Sequence, residues 1–261
     1  MTLCLFSIYS ALYSQNMSTF HFKQFSVIQT NAAMKIGTDS VILGCVVDTS
    51  FKSRILDIGT GTGLLALMLA QKSNAIIDAV EINEEAAKEA IQNFAESKWK
   101  WQLNCIQGPI QSHLDSFKYD LIITNPPYYR HKHQFSIEDL QRKQARHDKD
   151  LPLEDLITTV NKHLSIDGSF WCILPIPEAE IFIPLCQKAG LNVHSLFYIH
   201  SKVGKNPNRL IMHFEKKPTW NVLENHIDIY DENGKPTEQY KELTHSYYLW
   251  KGDNVTINLK W

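Results

Sequence analysis

Between Arg54 and Thr124 short apolar runs alternate with longer helix-forming segments, and this alternation constrains the fold more than any other feature of the chain. Arg54-Ile-Leu-Asp-Ile58 reads as a buried strand and Leu64-Leu-Ala-Leu-Met-Leu-Ala-Gln71 as a helix by propensity. Ile76-Ile-Asp-Ala-Val-Glu81 is the next strand, followed by a helix from Asn83 to about Lys98 whose first acidic residues suit the positive end of its dipole. Further strands are expected at Leu103–Gln107 and Tyr119–Thr124. Strand and helix in strict alternation require a parallel sheet with crossover helices, so the class is α/β. Downstream, helices are expected over Leu153–Leu164 and Glu178–Ala189, and strands over Ser169–Leu174, Asn192–His200 and Arg209–Glu215. The loop between the last two strands lets them pair antiparallel. The polar tail from Lys216 holds a strand candidate at His226–Tyr230 and a helix around Gln239–Leu249.

Composition removes several classes. Of 261 residues 44% are hydrophobic and 21% charged, enough for a sizeable core and too apolar for a disordered chain. The formal charge of −2 argues against nonspecific coating of nucleic acid and leaves room for a local basic patch. Cys4, Cys45, Cys105, Cys172 and Cys186 are scattered without a C-x-x-C pair, which reads as reduced thiols in a cytoplasmic protein, with no metal site. Residues 1–16 have no Lys or Arg and no membrane-length run, so neither a signal peptide nor a membrane anchor is expected. Met17 looks like the more natural start, so 1–16 are expected to be an upstream extension outside the fold.

Asp57-Ile-Gly-Thr-Gly-Thr-Gly63 joins the first parallel strand to its helix, where glycines let backbone pass close to a ligand. Its spacing fails the dinucleotide fingerprint G-x-G-x-x-G. Asp57 sets a carboxylate near the turn, which suits a cationic amino-acid group and repels pyrophosphate. The run D-x-G-x-G-x-G resembles motif I of S-adenosyl-L-methionine-dependent methyltransferases. That resemblance implies a Rossmann-like class I methyltransferase fold, with a mostly parallel central sheet, an antiparallel last strand and helices on both faces. Cofactor contacts are then expected from Asp57, Gly59, Gly61 and Gly63, and from Glu81 and Ile82 at the end of the second strand, Glu81 accepting from both ribose hydroxyls. The third strand ends Gln107-Gly-Pro-Ile110, without an acidic residue for the cofactor adenine, so a backbone amide of Gly108 or Ile110 is the expected contact.

Thr124-Asn-Pro-Pro-Tyr128 follows the fourth strand at the carboxyl edge of the sheet, where open α/β folds bind ligands. An exocyclic amine is a poor nucleophile because its lone pair is delocalised into the ring. The Asn125 amide oxygen and the Pro126 carbonyl can accept both amino hydrogens and favour a more tetrahedral nitrogen. Pro127 stiffens that backbone, and Tyr128 can stack on a planar base, worth about 1–3 kcal/mol. The tetrapeptide resembles motif IV of amino-methyltransferases, a set that includes enzymes for adenine N6, guanine N2 and glutamine amide.

Three more segments narrow the resemblance. Met34-Lys-Ile-Gly-Thr-Asp39, Ala145-Arg-His-Asp148 with the following Leu151-Pro-Leu-Glu-Asp-Leu156, and Lys202-Val-Gly-Lys-Asn-Pro-Asn-Arg209 resemble motifs of the tRNA-Val adenine-37 N6-methyltransferase family, in the family's order. By that resemblance Lys35 and Thr38 lie near the cofactor, and Thr38 or Asp39 also suits the N-cap of a helix over Val41–Val46. Asn125, Pro126 and Tyr128 hold the target adenine. Arg142, Arg146, Lys202, Lys205 and Arg209 are candidate phosphate contacts around a splayed anticodon loop of tRNA. Tyr247, Tyr248 and Trp250 are expected to pack more readily than to form a stacking surface. Residues 17–261 read as a single methyltransferase domain with an N-terminal motif segment (20–50) and a C-terminal extension (216–261), with no obligate protein partner evident. Methylation of guanine N2 in ribosomal RNA or of a protein glutamine amide, and a noncatalytic RNA scaffold, remain open as alternatives.

Overall fold

The computed structural model describes residues 19–30, 35–113, 118–126 and 152–250. Residues 1–16, Pro127, Tyr128, Arg142, Arg146 and the segment 130–149 lie outside them.

In chain order the elements are β1 (Thr19–His21), β2 (Ser26–Ile28), α1 (Thr38–Val46), β3 (Arg54–Ile58), α2 (Leu64–Lys72), β4 (Ile76–Glu81), α3 (Glu84–Glu96), β5 (Leu103–Gln107), α4 (Ile110–His113) and β6 (Tyr119–Thr124). They continue with α5 (Leu153–His163), β7 (Leu164–Pro175), α6 (Ile176–Lys188), β8 (Asn192–Lys202), β9 (Arg209–Glu215), β10 (Leu223–Tyr230) and α7 (Glu238–Thr244). β1 and β2 form a small hairpin; the other strands form one sheet in the order β10-β8-β9-β7-β6-β3-β4-β5. Pairing is parallel from β7 through β5, and β9 runs antiparallel to both β7 and β8. β10 adds to the outer side of β8 in parallel, so the antiparallel strand is not the last one. The order turns back at β3, with β4 and β5 on one side and β6 on the other, and this switch point is where such sheets take ligands.

Alternation along the strands builds a core on each face. Ile55, Ile77, Leu121, Ile123 and Trp171 point into one buried cluster, and Leu56, Val80, Ile122, Phe170 and Cys172 into the other. On the first face α1 and α2 pack so closely that a Cβ on Gly44 would lie 2.7 Å from the Met68 sulfur. The Lys72 ammonium caps α1 by donating to the carbonyls of Gly44, Cys45 and Val47. The tail folds back over the same face. Tyr247 is 4% exposed and donates to the Met68 carbonyl at 3.0 Å, and Tyr248 stacks on Phe22. The aromatic run therefore packs, and it ties the tail to the β1–β2 hairpin.

Candidate active site

Register places the motifs in one row. Ile58 pairs with Val80 on one side and Thr124 on the other, and Glu81 pairs with Gln107. One residue further on, Asn125, Gly59, Glu81 and Gln107 stand at the carboxyl ends of neighbouring strands, about 4.8 Å apart strand to strand, with Gly108 one residue beyond. The Thr124 hydroxyl, donating to the Ile58 carbonyl at 2.7 Å, locks β6 to β3 just below this row.

The turn after β3 depends on its glycines. Gly59, Gly61 and Gly63 have φ of 69°, 58° and 87°, the left-handed region that side chains disfavour. Gly63 is needed for space as well, because a Cβ there would lie 2.4 Å from Phe94 of α3. Among the described residues, a Cβ on Gly59, Gly61 or Gly108 would meet nothing within 4 Å, so this edge is not covered by them. Asn93, only 2% exposed, holds the turn from below by donating to the carbonyls of Thr62 and Ile28 and accepting from the Ile28 amide.

Two carboxylates flank the turn. Glu81 accepts from the Gly61 amide on one oxygen and the Asn83 amide on the other, each at 2.8 Å, so each oxygen keeps a second acceptor position. Asp57 is fully buried; its Oδ2 accepts from the Thr60 hydroxyl at 2.6 Å, while Oδ1 has no hydrogen-bond partner among the described residues. Burial pushes the Asp57 carboxyl up to about 7, with Thr60 and the Ala66 amide opposing and the Glu81 charge adding to the rise.

Asn125 is half-buried and shows an asymmetry. Its Nδ2 donates to Ser40 Oγ of α1 at 2.8 Å, whereas Oδ1 is buried with no partner among the described residues. α1 enters the site from Gly37, whose backbone is the N-cap without a side-chain hydrogen bond. Thr38 is therefore the first helical residue and neither Thr38 nor Asp39 is the cap. Asp39 is drawn away by Arg209, whose Nε donates to Oδ2 at 2.7 Å. Lys35 is exposed two residues before the N-cap. Arg209 thus has its charge balanced inside the protein. Lys202 ends β8 and Lys205 lies exposed in the turn that follows, and since Arg209 pairs with Pro175 at the end of β7 this turn opens at the same carboxyl edge. The Gly108 amide donates to the Glu81 carbonyl at 2.9 Å, which removes it as the expected adenine contact because it extends the β4–β5 ladder. Ile82 is 44% exposed beside Glu81, an uncovered apolar group. Asn93, Thr60 and Ser40 were given no role by sequence reasoning; Thr60 is a variable position inside the glycine run and Ser40 follows Gly-Thr-Asp, whereas Asn93 offered no signal.

Comparison with known proteins agrees with this arrangement. The family model described as "Methyltransferase small domain" matches residues 25–175. A tRNA1(Val) (adenine(37)-N6)-methyltransferase of Pedobacter heparinus is 37% identical over 240 residues, 89% of this chain and 98% of its own. The enzyme of the same name from Aeromonas salmonicida is 37% identical over 236 residues, with the same shares covered. The chain belongs to the tRNA1(Val) (adenine(37)-N6)-methyltransferase family. Solved structures support the fold of the family. A predicted O-methyltransferase of Agrobacterium tumefaciens superposes with a TM-score of 0.63 at 16% identity over 82% of this chain and 98% of its own. A methyltransferase of Pyrococcus furiosus gives 0.56 at 20% identity over 81% and 96%.

Proposed function

We propose that the protein transfers a methyl group from S-adenosyl-L-methionine to N6 of adenine 37 in tRNA1(Val), the reaction named for its relatives. The observation that carries the chemistry is Asn125, held beside the glycine turn with an amide oxygen that has no partner among the described residues. The surroundings fit the cofactor. Glu81 has a free acceptor position on each oxygen for the ribose hydroxyls, the buried Asp57 Oδ1 awaits a donor such as the ammonium, and Ile82 offers apolar cover to the adenine. Gly59 and Gly61, not covered by the described residues, let backbone approach the ligand.

When bound, the sulfonium supplies an electrophilic methyl group. Asn125 Oδ1 and the Pro126 carbonyl accept the amine hydrogens, which localises the nitrogen lone pair and stabilises positive charge as it develops there. The residues on this row hold the acceptor against the methyl carbon, so that positioning supplies much of the rate. Tyr128, outside the described residues, is assigned the stacking face for the base. The target adenine must leave its stack, which costs a few kcal/mol and less in a loop than in a duplex. Lys202 and Lys205 face the same edge as the amine site and are assigned phosphate contacts with the anticodon arm. A tRNA substrate makes the cytoplasm the expected place of action.

The test is incubation with radiolabelled S-adenosylmethionine and total tRNA from a strain lacking the protein, followed by nucleoside analysis. N6-methyladenosine at position 37 of tRNA1(Val) is expected. Label in N2-methylguanosine would overturn the adenine acceptor, and label only after ribosomal RNA or protein is supplied would overturn the tRNA reading; both would keep the methyltransferase.

A further inference from the structure

A carboxamide that accepts an amine hydrogen must present its oxygen, yet its two ends are nearly the same shape and rotation about the last bond exchanges them. Presenting the –NH2 end would put donor against donor and raise the barrier. Something on the protein has to engage the nitrogen end. Among the described residues Asn125 Nδ2 has one hydrogen-bond partner, Ser40 Oγ at 2.8 Å, reached across 85 positions of sequence. Ser40 sits in the first turn of α1, next to Asp39, and the Asp39–Arg209 ion pair at 2.7 Å ties that turn to the start of β9. α1 is therefore braced from the far side of the site.

We infer that Ser40 is a positioning residue for methyl transfer: its hydroxyl takes the Asn125 –NH2 end and leaves the amide oxygen to the substrate amine. The inference rests on the proposed role of Asn125 and deepens it. A serine hydroxyl can also donate, so Ser40 alone does not forbid the turned amide. The substrate amine selects the oxygen end, and Ser40 Oγ then accepts one of the two Nδ2 hydrogens in a half-buried place. Removing Oγ would strand Nδ2, and an unsatisfied polar group of this kind is worth on the order of 10-fold in rate.

Ser40→Ala, Ser40→Thr, Asn125→Ala and the Ser40→Ala/Asn125→Ala pair would be assayed as full chains on tRNA under saturating cofactor. Ser40→Ala is expected to lower kcat on the order of 10-fold with KM for tRNA and cofactor affinity unchanged, and Ser40→Thr to restore it. The double variant should be no slower than Asn125→Ala, because the hydroxyl acts only through that amide. A kcat for Ser40→Ala near that of the parent, a loss confined to KM, or losses that multiply in the double variant would each overturn the inference. If Asn125→Ala itself kept full turnover, the failure would lie in the catalytic reading of Asn125 and the assignment of Ser40 would fall with it. Cofactor binding by calorimetry, with a melting curve, shows whether each variant is folded.

Discussion

The two ends of the same strands treat buried polar groups in opposite ways. Toward the amino edge, Asp78 of β4 accepts from Arg54, Asn104 and Tyr119 at 3.0, 3.1 and 2.9 Å, and Asp120 of β6 accepts from the amides of Ser53 and Arg54. At the carboxyl edge of those strands, Glu81 holds one amide per oxygen, and Asp57 and Asn125 each leave an oxygen unpartnered among the described residues. Buried polar groups in folded chains are nearly always satisfied; unpartnered atoms also occur at Gln102 and Ser169 toward the amino edge, but only the Asp57 and Asn125 oxygens stand on adjacent strand ends at the switch point, where a ligand can complete the structure. The amino edge is built to hold the sheet together and the carboxyl edge to receive something.

The sharpest way to break this contrast is to exchange the two kinds of loss. Asn125→Ala should lower turnover by on the order of 10²-fold or more, as loss of a transition-state hydrogen-bonding group does elsewhere, with the melting temperature nearly unchanged. Asp78→Ala should do the reverse. It leaves the buried Tyr119 hydroxyl without its acceptor and removes the Arg54 ion pair, and unfolding in urea should show a loss on the order of 2 kcal/mol with turnover per folded molecule retained. A stable but inactive Asp78 variant, or an Asn125 variant that is active and merely unstable, would remove the distinction between the edges.

How much of this was legible in the sequence follows from the range of the interactions. Apart from the one-turn α4, the order of strands and helices was readable from Arg54 to Glu215 because apolar alternation and glycine turns are local, and the antiparallel turn of β9 was readable from the loop before it. The start of β10 was not: Leu223 to Asn225 are exposed on an edge strand and carry no alternation, so the strand seemed to begin at His226. Motif residues fell into one row because strand ends align, which spacing alone implies. The contacts that orient them span far greater separations, 85 positions from Ser40 to Asn125 and 170 from Asp39 to Arg209, and leave no periodic trace. Gly108 shows the converse, a motif residue whose amide was already engaged by the sheet.

Within the carboxyl edge, the two carboxylates can be told apart. Glu81→Gln places a donor against the Gly61 or the Asn83 amide and removes a charge-assisted acceptor, so cofactor affinity should fall roughly 10- to 100-fold by calorimetry. An unchanged affinity would take Glu81 out of the cofactor site. Asp57 should act through pH. Its folded pKa of about 7 lies above the ordinary value of 3.8, so between these the folded chain holds a proton the unfolded chain has released. Its contribution to stability is complete below about pH 4 and is lost as pH rises through 7. A bound cofactor ammonium favours the ionised form, so cofactor affinity should rise a few-fold from pH 6 to 8 and then level, as linkage to one proton of this pKa requires. Asp57→Asn should flatten that rise, and a parallel rise in the variant would mean another group carries it.

The smallest effects separate two cations of the β8–β9 hairpin, Lys205 and Arg209. Lys205 is exposed in its turn, whereas Arg209 is part-buried and paired with Asp39. A lysine on a phosphate releases about one counterion, so Lys205→Ala should weaken tRNA binding a few-fold and reduce the slope of log affinity against log salt by about 1. Arg209→Ala should leave that slope almost intact, because the charge it removes is already balanced by Asp39. Its effect should instead reach kcat, through the loosened first turn of α1 and Ser40. If Arg209→Ala flattened the salt dependence as much as Lys205→Ala, the arginine would have to leave Asp39 for a phosphate when tRNA binds, and the brace on α1 would be a feature of the free protein alone.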